Sequence, residues 1–131
     1  MQRNIFFLML SACLLASCSK DELAFDIIES PVLAQFEKMS DAAPGMLKVK
    51  ATFYDLDKSG ILDHTIGIDS IPVVGLTIKV FVFESSLVSE LTTGSDGSVI
   101  FEKDITALQG AGRLEWVGTY EETPFRIYQN Y

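Results

Sequence analysis

The sequence predicts an all-β protein, an antiparallel β-sandwich of about six to seven strands with one short N-terminal helix. Three observations support this fold class. Apolar and polar residues alternate with a period of two from Met46 onward, and turn-forming residues recur about every ten positions. The chain has 131 residues, enough for one hydrophobic core, so we expect a single sandwich domain at residues 46–131.

The first 17 residues have the pattern of a secretory signal peptide. Arg3 supplies a positive charge, and residues 5–16 form an apolar run that is too short to span a bilayer. The run ends in Leu15-Ala16-Ser17-Cys18, which resembles the lipobox of bacterial lipoproteins. The resemblance implies cleavage before Cys18 and attachment of diacylglycerol and acyl lipid, such as palmitate, to that residue. We therefore expect a lipid anchor in a membrane, because two or three acyl chains hold a protein stably on a bilayer.

The residues directly after Cys18 indicate the destination of the anchored protein. Ser19 is not the aspartate that is associated with retention in the inner membrane, so the pattern favours the outer membrane. Lys20-Asp21-Glu22 resembles the export signal of Bacteroidetes surface lipoproteins, which implies exposure on the cell surface. The alternative interpretation is a solvated linker that carries these charges by chance.

Residues 18–45 are predicted to form a lipidated tether that contains the short helix. Ser30 is a suitable N-cap residue, and Pro31 suits the first position of a helix. The apolar residues that follow have helical spacing, and they are Val32, Leu33, Phe36 and Met39. We expect this apolar stripe to dock on the sandwich and the helix to end before the turn at Pro44-Gly45.

The sandwich is predicted from strand-like segments at residues 46–53, 76–84, 87–92, 98–102, 113–120 and 125–130. In the second segment apolar residues occupy both faces, so we expect both faces of that strand to be largely covered. Between the third and fourth segments, Asp96-Gly97 suits the positive backbone angles of a tight hairpin. The sequence therefore predicts that these two strands pair antiparallel.

Three parts of the chain resemble a known family of surface modules. They are Val49 to Asp63, Gly75 to Val80 and Thr92 to Phe101, in this order. Together they resemble the B-type immunoglobulin-like modules of serine-aspartate-repeat adhesins and of the wider collagen-adhesin B family. The resemblance implies an immunoglobulin-like or prealbumin-like two-sheet fold that serves as a stalk or spacer on cell surfaces, with calcium bound in some members.

The resemblance also implies where calcium would bind. The oxygen ligands would come from Asp55, Asp57, Ser59, the Ile61 carbonyl and Asp63, with Asp69 as a substitute for the glutamate of the adhesin modules. A helix-loop-helix calcium motif is excluded, because its twelfth position requires a glutamate and this chain has Ile66 there. The alternative is a solvated turn in which the Asp and Ser side chains bond to their own backbone.

Composition and motifs argue against two functional classes. The chain has 10 basic and 18 acidic residues, so a nucleic acid partner is not expected. An enzyme is not expected either, because the lone histidine, His64, has no serine or cysteine nucleophile in a recognisable motif. Glu121 and Glu122 are not expected to form a catalytic carboxylate pair, because neighbours on a strand point to opposite faces.

Two functional hypotheses remain. The first is a non-enzymatic structural or adhesive surface module with a surface protein or glycan as its partner. The second is a small carbohydrate- or peptide-binding accessory lipoprotein of an outer-membrane uptake complex. Exposed aromatic residues clustered on one sheet would favour the second, and the candidates for such a platform are Trp116, Tyr120, Phe125, Tyr128 and Tyr131.

Overall fold

The computed structural model describes residues 29–131. The predicted signal peptide, the lipidation site Cys18 and the export signal Lys20-Asp21-Glu22 lie outside the described residues. The described part contains eight strands and one short 3-10 helix at Ile105–Leu108. The strands are β1 (Leu33–Lys38), β2 (Met46–Asp57), β3 (Asp69–Pro72), β4 (Thr77–Val82), β5 (Ser86–Thr92), β6 (Ser98–Asp104), β7 (Arg113–Tyr120) and β8 (Thr123–Asn130).

These strands form two four-stranded antiparallel sheets, which confirms the predicted all-β sandwich. In the first sheet, β1 pairs with one edge of the long strand β2. The opposite edge of β2 is shared, because β6 pairs with residues 46–52 and β3 pairs with residues 54–57. The second sheet has the order β5-β4-β7-β8. No helix in residues 29–131 is long and apolar enough to cross a membrane.

The core lies between the two sheets and is centred on Trp116. Its indole is fully buried, and its ring centroid lies 5.2 Å from that of Phe36, 5.8 Å from that of Phe101 and 6.4 Å from that of Phe53. Along β2 the inward positions are buried in strict alternation, as the period of two predicts. The two sheets therefore close on one aromatic core that draws on both the N-terminal and C-terminal halves of the chain.

The predicted N-terminal helix is wrong, because these residues form strand β1. Val32 is buried, and Ala34 and Phe36 pack against the core while Leu33 faces outward. Strand β1 pairs with β2 over six residue pairs, from Leu33 opposite Tyr54 to Lys38 opposite Val49. The apolar positions 32, 34 and 36 have a period of two, and burial of the Phe36 ring against Trp116 favours that period over the helical one. The folded sandwich therefore begins before residue 46.

The predicted pairing of the third and fourth segments is also wrong. The Asp96-Gly97 turn forms, and the Gly97 amide donates to the Gly94 carbonyl. However, β5 pairs with β4 in the second sheet, whereas β6 pairs with β2 in the first. The buried hydroxyl of Thr93 donates to the Val73 carbonyl at 2.6 Å, which fixes the end of β5 where the chain passes between the sheets.

The expectation that both faces of the second predicted segment are covered is wrong as well. Ile78, Val80 and Val82 are buried in the core, but Thr77 and Lys79 on the other face are exposed. In the described part of the chain, the outer face of the second sheet has no layer packed over it. This face is therefore a surface on which functional residues can be presented.

Candidate functional site

The residues that the sequence predicts as calcium ligands lie in and around the connection between β2 and β3. We call residues 55–69 the acidic loop. Its base is the pair Asp57 and Asp69, which lie opposite each other across the two strands. Gly60 permits the turn, because a Cβ atom at this position would collide with the side chain of Ile66.

Two aspartates of the acidic loop hydrogen-bond to backbone amides within the loop. The Ser59 amide donates to Asp57 Oδ1 at 2.9 Å, and this bond holds the pKa of Asp57 below its usual value. The Thr65 hydroxyl and amide donate to Asp63 Oδ1 at 2.6 and 2.9 Å, and these bonds lower the pKa of Asp63. This is the bonding that the solvated-turn interpretation of the loop predicts.

The carboxylates of Asp55 and Asp69 accept hydrogen bonds from residues outside the acidic loop. The Tyr120 hydroxyl on β7 donates to Asp55 Oδ2 at 3.0 Å, which links the two sheets at this end of the sandwich. This hydrogen bond, together with burial, raises the pKa of Tyr120. The Ser70 amide donates to Asp69 Oδ1 at 3.0 Å.

The predicted ligands are therefore near one another in sequence but are engaged in separate hydrogen bonds. Within residues 29–131, no group of three or more His, Cys, Asp or Glu side chains is arranged to hold a metal ion. Ser59, Ile61 and His64 are exposed on the loop. Calcium binding here stays a prediction, and we assign it no part in the function.

A second group of polar and aromatic residues lies on the outer face of the second sheet. We call Phe81, Arg113, Glu115, Arg126 and Tyr128 the outer-face cluster. Phe81, Glu115 and Tyr128 form one row across β4, β7 and β8, because the register places each opposite the next. Antiparallel pairing therefore brings together side chains that are far apart in sequence.

Glu115 is the centre of the outer-face cluster and is only 1% exposed. Its carboxylate accepts hydrogen bonds from Arg126 Nη1, from Arg113 Nη2 at 3.3 Å and from the Glu84 amide at 3.1 Å. Burial acts to raise the pKa of Glu115, but the hydrogen bonds from Arg126, the Glu84 amide and Arg113 outweigh it and lower the pKa. Glu115 is thus held as a carboxylate that pairs with two arginines.

The two arginines also stack on aromatic rings. The guanidinium carbon of Arg113 lies 4.4 Å from the centre of the Tyr128 ring, and that of Arg126 lies 5.7 Å from the centre of the Phe81 ring. Such cation–π contacts hold both the rings and the cations in place. The cluster therefore presents an ordered surface of aromatic rings and guanidinium groups, with Tyr128 53% exposed.

The aromatic platform suggested by the sequence is not assembled. Trp116 and Phe125 are buried in the core, and Tyr120 and Tyr131 are half-buried. Tyr128 is the member of the set that lies exposed on the outer face of the second sheet. Sequence reasoning missed the remaining members of the outer-face cluster, although Arg113 and Glu115 alternate with the buried Leu114 and Trp116 and so have the spacing of an outward-facing pair.

Glu121 and Glu122 lie in a loop, whereas the sequence argument placed them on a strand. They are the two residues between β7 and β8, since Tyr120 pairs with Thr123. Their φ angles are 47° and 65°, values that glycine and asparagine adopt more readily than glutamate. Both side chains are exposed at the end of the sandwich that carries the acidic loop.

Comparisons with known proteins add nothing to this geometry. The chain matches no protein-family model, no curated protein and no solved structure. The similarity to adhesin modules therefore rests on the three sequence segments named above. The outer-face cluster and the acidic loop have to be interpreted from their own chemistry.

Proposed function

We propose that this protein is a lipid-anchored, surface-exposed lipoprotein whose β-sandwich is a non-enzymatic structural or adhesive module. The observation that carries the proposal is the lipobox Leu15-Ala16-Ser17-Cys18, which follows an apolar signal segment. Only ten residues, 19–28, separate Cys18 from Glu29, where the described domain begins. A chain with this organisation displays one folded domain close to a membrane.

The chemistry of the described domain supports a binding or structural role over catalysis. The carboxylates of Asp57 and Asp63 are bonded to amides of their own loop, and that of Glu115 is paired with two arginines. A carboxylate with a lowered pKa and several bound donors is a weak general base. These groups therefore stabilise the fold rather than perform acid–base chemistry.

The first experiment tests the anchor. Mass spectrometry of the N-terminal peptide should show an acylated Cys18 as the first residue, and the protein should sediment with membranes. The Cys18→Ser variant should lose the acyl groups and membrane association. Cys13→Ser is the matched control, because it replaces a cysteine in the signal segment and should leave processing unchanged. A non-acylated Cys18, or a Cys18→Ser protein that still sediments with membranes, would overturn the proposal.

The second experiment tests which side of the outer membrane carries the domain. Protease added to intact cells should digest the wild-type protein, because Lys20-Asp21-Glu22 is proposed to direct it to the cell surface. Replacing these three residues by alanine should protect the protein until the outer membrane is opened. A protein that resists protease in intact wild-type cells would place the domain in the periplasm instead.

A second candidate function is binding of a carbohydrate or peptide for an outer-membrane uptake complex. The observation that favours it is the exposed Tyr128 ring within the ordered outer-face cluster, because sugars stack on such rings. A panel of immobilised oligosaccharides tests this candidate. Tyr128→Ala should abolish binding of any sugar that the wild type retains, whereas Thr119→Ala, on the same face, should not.

A further inference from the structure

The acidic loop carries a group of exposed aliphatic side chains that neither candidate function explains. Leu62 is 99% exposed, Ile66 69%, Ile61 55% and Ile68 48%. We call these four residues the apolar tip. A single exposed aliphatic residue is ordinary, but four within eight positions of one loop leave an unusual amount of apolar side chain in water.

The apolar tip lies at the end of the sandwich where the chain enters the domain. Glu29 is the first described residue, and its Oε1 atom lies 2.9 Å from Lys58 Nζ at the start of the loop. The pairing of β1 with β2 also places the start of β1 beside the end of β2 that leads into the loop, since Leu33 lies opposite Tyr54. The tether and the apolar tip therefore emerge from the same end of the domain.

The length of the tether limits how far this end can lie from the anchor. Eleven residue steps separate Cys18 from Glu29, and a fully extended chain of that length spans about 38 Å at most. A short tether also keeps the effective concentration of the tip at the membrane surface high. A lipid anchor at Cys18 would thus keep the end of the domain that carries the apolar tip within about 38 Å of the bilayer.

We propose that the apolar tip inserts into the interfacial layer of the membrane that holds the lipid anchor, and so orients the sandwich on that membrane. This inference rests on the lipid anchor proposed above. Aliphatic side chains gain free energy when they leave water for the boundary between headgroups and acyl chains, and they need no specific polar partner there.

The charges of this end determine the kind of lipid surface that fits. Asp57, Asp63 and Asp69 lie in the loop, and Glu121 and Glu122 lie at the same end of the sandwich. Lys58 is already paired with Glu29. An acidic surround repels anionic headgroups, so the tip fits a zwitterionic surface better than an anionic one.

The experiment uses the acylated full-length protein, reconstituted in phosphatidylcholine vesicles. After acylation of Cys18, a Leu62→Cys substitution supplies the only reactive thiol of the mature chain for an environment-sensitive fluorophore. Leu87→Cys is the matched control, because Leu87 is 53% exposed and lies opposite Phe81, at the end of the second sheet away from Tyr120. Both substituted positions are exposed, so neither change removes core packing.

The proposal expects the probe at position 62 to shift to shorter wavelength and to be quenched by shallow lipid-borne quenchers, whereas the probe at position 87 is not. Vesicles that contain phosphatidylglycerol should reduce the effect. Equal lipid quenching at the two positions, with Cys18 shown to be acylated, overturns the inference and leaves the anchor intact. The probe at position 62 could instead be shielded from aqueous iodide without being quenched from the lipid. That result would assign the apolar tip to a protein contact and would also overturn the inference. A non-acylated Cys18 overturns both proposals.

Discussion

At the scale of single residues, Glu115 is the buried charged side chain of residues 29–131. It is a fully buried carboxylate on the outer face of the second sheet, and its oxygens accept hydrogen bonds from Arg113, Arg126 and the Glu84 amide. Arg113 and Arg126 are themselves partly exposed, so loss of the carboxylate removes charge-assisted hydrogen bonds without leaving a buried arginine. Glu115 therefore connects β7 and β8 to the turn after β4.

We predict that Glu115→Gln destabilises the protein by about 2 kcal/mol, since the charge-assisted hydrogen bonds from the two arginines are lost. Chemical denaturation at neutral pH measures the change. Glu102→Gln, an exposed glutamate on β6, should change the free energy of unfolding by less than about 0.5 kcal/mol. A loss at position 115 as small as that of the control would contradict the importance assigned to the pairing.

Glu115 also makes the stability of the protein depend on pH in the acidic range. The folded state lowers the pKa of Glu115 from its ordinary value of 4.5, so its ionised form stabilises the fold above that pH. As the pH falls below 4.5 and through the lowered folded pKa, this contribution disappears. The stability difference between the wild type and Glu115→Gln should therefore narrow in that acidic range, and a difference that stays constant would contradict the lowered pKa.

Tyr120 predicts a stability contribution that is lost at high pH, whereas that of Glu115 is lost at low pH. Its hydrogen bond to Asp55 and its burial raise the pKa of the phenol above its ordinary value of 10.0. The stabilisation is complete below pH 10 and is lost as the pH rises through the raised folded pKa. Tyr120→Phe should cost about 1 kcal/mol at neutral pH, and this cost should shrink in strong alkali. Thermal melts at neutral and alkaline pH measure this cost. Tyr54→Phe, which also removes one phenolic hydroxyl, is the control.

At the scale of elements, the shared edge of β2 depends on Gly97. This glycine has φ of 73° and sits where pairing with β6 gives way to pairing with β3. A Cβ atom on it would lie 2.8 Å from the Phe53 carbonyl oxygen and 3.0 Å from the Val73 nitrogen. Backbone atoms cannot move aside easily, so the position excludes every side chain.

We predict that Gly97→Ala destabilises the protein by about 3 kcal/mol, through both steric overlap and the positive φ. Gly67→Ala is the matched control, because Gly67 has φ of 68° but a methyl group on its Cα atom would meet no other atom within 4 Å. The control should lose only about 1 kcal/mol. Equal losses for the two variants would show that crowding at the shared edge is unimportant.

Strand β1 predicts that substitutions on its inner and outer faces have different effects on stability. The Phe36 ring packs against Trp116, so Phe36→Ala should cost about 2 kcal/mol in a denaturant titration. Leu33→Ala, on the outward face of the same strand and 40% exposed, should cost less than about 1 kcal/mol. A helix with the predicted apolar stripe would bury both residues, so similar losses would argue against the strand.

The sequence was sufficient for strands whose alternation is unambiguous, such as β2 and β7. It was insufficient where two periods overlap, as at Val32, Ala34 and Phe36, because the choice depends on a tertiary contact with Trp116. It also failed at β5 and β6, since a turn motif does not reveal that the flanking strands belong to different sheets. The outer-face cluster could not be predicted, because the row from Phe81 to Tyr128 depends on the register of three strands.

At the scale of the whole molecule, the sandwich has two different ends. Glu29, the acidic loop and the Tyr120–Asp55 hydrogen bond lie at one end, whereas Arg113 begins β7 at the other. A lipid anchor attached to the first end would leave the outer-face cluster on the side of the sandwich, toward the end away from the tether. This arrangement suits a module that is fixed at one end and makes contacts with the rest of its surface.

The calcium prediction is tested best on the whole protein. Binding of calcium by the oxygens of the acidic loop predicts a higher melting temperature with calcium than with chelator, because a ligand held only by the folded state raises stability. At a calcium concentration of about 100 times Kd the gain would be about 2.7 kcal/mol. Identical melting temperatures at millimolar calcium would exclude the site.

The antiparallel pairing of β1 with β2 determines how the domain would carry a mechanical load. A pulling force that arrives through the residues before Glu29 acts along the axis of β1 when a partner holds the opposite end of the sandwich. All six residue pairs between β1 and β2 then bear the force in shear at the same time, rather than separating one after another. Under such a load, β1 would resist removal from its sheet more strongly than a strand that is peeled away from one end.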